Sequence, residues 1–166
     1  RSVGADQKTT HVRSGPVHAR IPALPPITQA RFGHDPAATC LSYLGITLWL
    51  LGYPEQSLMQ TQKLYYLIQS FTHPSSRAYA CSLLAVNAYM RHDVQLAFEH
   101  AELAIQLSLR HGLTSWKCLA TALKGWALFE EGQSTDGLAL MEQGTQAWQA
   151  RGYAHFTPFL LTLQAE

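Results

Sequence analysis

From Asp35 onward, apolar residues recur three and four positions apart, and that recurrence itself returns every 40 residues. Leu41, Leu44, Leu48 and Leu51 mark one side of a first helix. It opens at Asp35-Pro36, a capping carboxylate followed by the residue best suited to a first helical turn. Gly52-Tyr53-Pro54 ends that helix and starts a second, over about 54–71, striped by Leu58, Leu64, Leu67 and Ile68. His73-Pro74-Ser75 is a turn. The same couplet then comes twice more, as helices over about 75–91 and 94–110, and over about 114–130 and 134–150. His111-Gly112 and Gly152 act as stops. Thr157-Pro158 predicts a further cap and a last helix to the end of the chain, the first half of a fourth couplet.

The expected organisation is a Pro-containing tail over 1–31 and a helical repeat domain over 32–166. Its units are about 35–73, 74–113, 114–153 and an incomplete 154–166. Pro16, Pro22, Pro25 and Pro26 break any helix in the tail, and residues 21–26 read as extended or polyproline-like. The chain opens on Arg1, so a processed or excised piece is expected.

Three segments carry the register. They are Gly45-Ile46-Thr47-Leu48-Trp49-Leu50-Leu51-Gly52, Ala85-Val86-Asn87-Ala88-Tyr89-Met90-Arg91-His92 and Gly125-Trp126-Ala127-Leu128-Phe129-Glu130-Glu131-Gly132. Two antiparallel helices on a short turn need small residues where they cross. The first helices offer Gly45, Ala85 and Gly125, and the second helices Ser57, Ala97 and Gly137. Larger pairs fill the space beside them: Leu48 with Leu58, Ala88 with Phe98, Leu128 with Leu138. Gly52 and Gly132 suit a turn of positive φ, and His92 must take that conformation in the middle unit at some cost.

These residues resemble the tetratricopeptide-repeat pattern, with units longer than the usual ~34 residues. More narrowly, residues 33–58 and 125–132 resemble the C-terminal helical-repeat region of large bacterial cyclase- or kinase-linked ATPase regulators. Lys124 departs from the pattern, since Leu44 and Leu84 hold the equivalent inward places. The resemblance implies an all-α, right-handed solenoid of antiparallel helix pairs. It also implies a concave groove lined by the first helices, at Ser42, Ile46, Trp49, Tyr79, Ser82, Val86, Tyr89, Leu119, Ala122, Trp126 and Phe129. That lining is apolar and aromatic and holds no Lys, Arg or Asn clamp for a terminal carboxylate. Two readings stay open: a groove for a hydrophobic peptide or helix, or aromatics consumed in packing against the core or neighbouring domains.

Composition narrows the function classes. Charged residues are 14% of the chain, well below the usual ~25%, so some faces are expected to be covered by a partner or by other domains. Residues 1–31 hold five basic side chains against one acidic. Residues 32–166 hold seven basic against ten acidic, which disfavours nucleic acid as the ligand of the repeats. No apolar run reaches the ~18 residues of a membrane span.

Cys40, Cys81 and Cys118, widely spaced, are expected to be buried reduced thiols of a cytoplasmic protein. No phosphate-binding loop or Gly-x-Ser-x-Gly elbow occurs. Glu130-Glu131 reads as a solvated helix end and not as an acid/base pair. The eight histidines lack the i, i+4 spacing of a helical metal site. The expectation is a non-enzymatic, cofactor-free module that binds protein, peptide or neighbouring domains of its parent. The alternative is a sensor holding a small molecule in the aromatic groove.

Overall fold

Asp35 starts the first helix as its sequence predicts. In a computed structural model describing residues 34–165, its carboxylate accepts from the Ala37 N–H at 2.8 Å and Pro36 occupies the first turn. Among the described residues the fold is all-α: α1 (Pro36–Leu50), α2 (Pro54–Ile68), α3 (Pro74–Met90), α4 (Val94–His111), α5 (Thr114–Glu130), α6 (Ser134–Gln149) and α7 (Thr157–Leu163). The tail expected over 1–31 lies outside the described residues.

The three couplets turn alike. After α1, α3 and α5 the chain closes with paired backbone bonds, Gly52 to Trp49 and Tyr53 to Leu48, His92 to Tyr89 and Asp93 to Ala88, Gly132 to Phe129 and Gln133 to Leu128. Each turn needs one left-handed residue, and φ is +82° at Gly52, +55° at His92 and +88° at Gly132. His92 therefore adopts a conformation that glycine takes without strain.

Each second helix touches its own first helix and the next one, and the first helices touch one another in the order α1, α3, α5, α7. Side chains stitch the couplets at the same register. The Asp35 N–H donates to Ser76 Oγ (3.1 Å), and the hydroxyls of Thr39 and Tyr79 lie 2.9 Å apart. Ser115 Oγ donates to the Tyr153 hydroxyl at 2.7 Å. Between α5 and α6 the backbones approach so closely that a Cβ on Gly125 would lie 2.6 Å from the carbonyl of Gly137. A Cβ on Gly137 would lie 2.7 Å from that of Gly125. In the first couplet Ser57 Oγ donates to the Gly45 carbonyl at 2.7 Å instead.

Three expectations need correction. Cys40 is exposed while Cys81 and Cys118 are buried, because no described helix covers its side of α1. Thr157 does not cap α7. It is the first helical residue, Phe156 before it stands at φ +63°, and its hydroxyl donates back to the Tyr153 carbonyl (2.7 Å). The helix also ends at Leu163 instead of running to the terminus. Leu44, expected to face inward, is exposed, whereas Leu84 is buried; Lys124, at the same place in the third couplet, donates from its ammonium to Glu102 Oε2 at 2.7 Å and sits 5.4 Å above the Phe98 ring.

Candidate functional site

The residues expected to line a groove fall into two sets. Tyr79, Ser82, Val86, Leu119, Ala122 and Trp126 are buried, because α3 and α5 are enclosed on nearly every side by neighbouring helices. Ser42 is buried too, and Ile46 is half-buried. Trp49, Tyr89 and Phe129 are half-buried at the C-terminal ends of their helices. Only these three and Ile46 keep surface that a partner could touch.

The buried set is held by rings and short hydrogen bonds. Ser82 Oγ donates to the Ala78 carbonyl of its own helix at 2.9 Å, which satisfies its hydroxyl without any ligand. Trp126 meets Tyr89 edge-on at 4.8 Å and His92 at 5.4 Å, and Tyr89 in turn meets Phe159 of α7 at 5.2 Å. A ladder of aromatic edges thus links α3, α5 and α7. Tyr79 lies between His34 (ring centroids 3.9 Å) and Trp116 (4.6 Å). Burial pushes its phenol up to about 12, against the opposing hydrogen bond with Thr39, so it stays protonated at neutral pH.

A cleft of about 480 Å³ opens where the first helices begin. It is lined by His34, Ser75, Trp116, Tyr153, His155 and the Gly112–Ser115 turn. Burial lowers the pKa of His34, with the Asp35 carboxylate working the other way, so the imidazole is neutral at pH 7. The lining has no carboxylate and no lysine or arginine, which limits it to hydrogen bonding and ring stacking. Trp116 and Tyr153 were not singled out by the sequence pattern. The signal that could have found them is the register: Asp35, Ser75, Ser115 and His155 stand 40 residues apart at the starts of the four first helices.

Among the described residues no three His, Cys, Asp or Glu side chains gather as metal ligands, and no helix is long and apolar enough to cross a membrane. The exposed large apolar side chains are unevenly spread. Of fourteen among the described residues, nine lie in α1, α2 and the turn between them: Tyr43, Leu44, Leu50, Leu51, Tyr53, Leu58, Met59, Tyr65 and Tyr66. The chain matches no protein-family model, no curated protein and no solved structure.

Proposed function

We propose that this chain is a non-catalytic protein-interaction module, built as a tetratricopeptide-like, right-handed solenoid of helix pairs. We place it in the cytoplasm, as the partner-sensing repeat region of a bacterial cyclase- or kinase-linked ATPase regulator. The observation that carries the reading is the concentration of exposed apolar side chains on α1 and α2. Exposed patches of this kind mark contact sites more often than they mark chemistry. The contacts between successive first helices support the stacked arrangement. The regulatory role rests on the sequence resemblance alone.

A second reading is a small-molecule sensor. The cleft bounded by His34, Trp116, Tyr153 and His155 favours it over the groove, since an opening of this size suits a small ligand. An amide NMR titration separates the two. Helical peptides that shift resonances of α1 and α2 support the interaction reading. Metabolites that shift only residues 34, 75, 112–116 and 153–155 favour the sensor. If no peptide in a panel of amphipathic helices shifts any resonance, the interaction reading is abandoned.

A further inference from the structure

Of the three complete couplets, the first is the least built into the fold. Among the described residues α1 buries only Ala38, Leu41, Ser42 and Gly45, and α2 only Ser57, Thr61, Leu64 and Ile68. α2 also meets α3 over far fewer residues than α4 meets α5. Elements with so little buried surface are the ones that open without the rest of a protein.

The junction between α2 and the second couplet is lined with polar side chains. Arg91, at the end of α3, donates to Thr61 Oγ1 of α2 at 3.3 Å, and no carboxylate among the described residues lies within ion-pair distance of it. Asn87, one turn earlier, is buried and donates to the Leu83 carbonyl at 2.9 Å. His100 of α4 is half-buried, with its ring 6.2 Å from that of Tyr65 on α2. The next junction replaces every one of these. Forty residues on, Thr61 becomes Ala101, Asn87 becomes Ala127, Arg91 becomes Glu131 and His100 becomes Leu140. The cation there is Lys124, and Glu102 pairs with it.

Burial holds the pKa of His100 below its ordinary 6.5. Glu99 on its own helix works against burial, Arg91 works with it, and Asp93 in the turn before α4 works against it. Tyr65 brings a ring from α2, and Lys124 of α5 is engaged by Glu102. The imidazole is therefore neutral at pH 7 while the junction is closed.

We propose that the first couplet is a separately opening unit and that His100 is its latch: proton uptake by His100 releases α1 and α2 from the other helices. A proton there places a second cation near Arg91 in a junction without an ion pair, and full solvation of both requires α2 to leave. The sign follows from the direction of the shift. An opened His100 takes a proton at its ordinary 6.5 and a closed one only at lower pH, so opening becomes easier as the pH falls below 6.5. The unit released carries most of the exposed large apolar side chains, so the latch governs the face that the interaction reading uses. The latch itself stands apart from that reading, because opening is measured with no partner present.

The test is amide hydrogen exchange on the full 166-residue chain at pH 7.5 and 5.5, expressed as protection factors so that the intrinsic pH dependence drops out. Burial also lowers the pKa of His34, which stacks on Tyr79 of α3, so every chain compared carries His34→Gln. Amides of α1 and α2 should be less protected than those of α5 and α6 at both pH values. Their protection should fall by up to about tenfold on acidification, the ratio expected for a group of ordinary pKa that takes its proton only when open. Adding His100→Gln should remove that fall. His100→Leu, which installs the residue found at position 140, should remove it too and guards against a glutamine that disturbs the junction. One protection level shared by α1–α2 and α5–α6 overturns the separate unit. A fall that is absent, or that persists undiminished in both His100 variants, overturns the latch. The peptide titration above decides the interaction reading in either case.

Discussion

The first and third couplets share one register and one turn geometry and differ in burial and in how closely their helices cross. In the third, α5 is enclosed, with Leu123 buried, Lys124 paired and two glycines crossing backbone to backbone. In the first, α1 carries Tyr43, Leu44 and Leu51 at or near the equivalent places, and all are exposed. The crossing there is looser, with Ser57 bonded to the Gly45 carbonyl. Whether a repeat position is buried is therefore decided by what stands before the couplet as much as by the residue. In an array where each unit contacts its neighbours, burial at a repeat position depends on the flanking units as well as on the residue itself.

The sharpest way to break this comparison is to cut the same position in two couplets. Leu83 is fully buried and Tyr43 is 47% exposed. Leu83→Ala should cost about 3 kcal/mol, as large-to-small changes in a core do. Tyr43→Ala should cost about 0.5 kcal/mol or less. Urea unfolding of both variants measures the difference, and equal costs would mean that α1 is covered after all.

The glycines give the next largest effect. A Cβ on Gly137 collides with backbone atoms of Gly125 and Phe129, which cannot move without separating the helices. A Cβ on Gly45 meets Asn87 Oδ1 at 2.7 Å, the end of a side chain that can turn away. Gly137→Ala should therefore destabilise by about 2 kcal/mol even after the ~1 kcal/mol gained in helix propensity. Gly45→Ala should lie within about 1 kcal/mol of the parent. Thermal melts that rank the two the other way would refute the tighter crossing of the third couplet.

Much of this was legible in the sequence. The 40-residue period located each of the described helices, since Gly52, Gly112, Gly132, Gly152 and the prolines punctuate the chain where backbone geometry requires them. His92 was legible for the same reason, by standing in a glycine's place. Burial was less so. The helical stripes of α3 and α5 read as a groove, but a helix contacted on several sides buries the residues of more than one face, and periodicity alone cannot count its neighbours. The cleft at His34 and Trp116 was hidden because its lining comes from four helix starts, each unremarkable in its own segment. Cys40 was misjudged because wide cysteine spacing says nothing of burial; its counterparts in the register, Ala80 and Ala120, are buried while Cys40 is exposed.

The turns allow a smaller test in the middle unit. His92 holds φ +55° where its two counterparts are glycine. His92→Gly should stabilise by up to about 1 kcal/mol by removing the steric cost of that conformation, less whatever the 3.2 Å contact of His92 Nε2 with Glu130 contributes. Gly132→His should lose a similar amount. If neither variant moves the denaturation midpoint, the three turns are equivalent in energy despite their geometry.

The smallest effect separates a charged couplet boundary from an uncharged one. The hydrogen bond from Lys124, followed by that from Gln106, holds the Glu102 carboxyl below its ordinary 4.5. A carboxyl lowered on folding contributes stability that is present above its unfolded pKa and is lost as the pH falls through the lower folded value. Both side chains are partly exposed, so water screens the pair and its worth is about 0.5 kcal/mol. Glu102→Gln should thus be slightly less stable than the parent at pH 7, with the gap closing as the pH falls below 4.5 and shrinking in 1 M salt. Leu44→Lys provides the control, because α1 offers no carboxylate to pair with the new cation. Its stability should track the parent across the same range, and a parallel acid-sensitive gain there would mean that an acidic group already faces the α1 stripe.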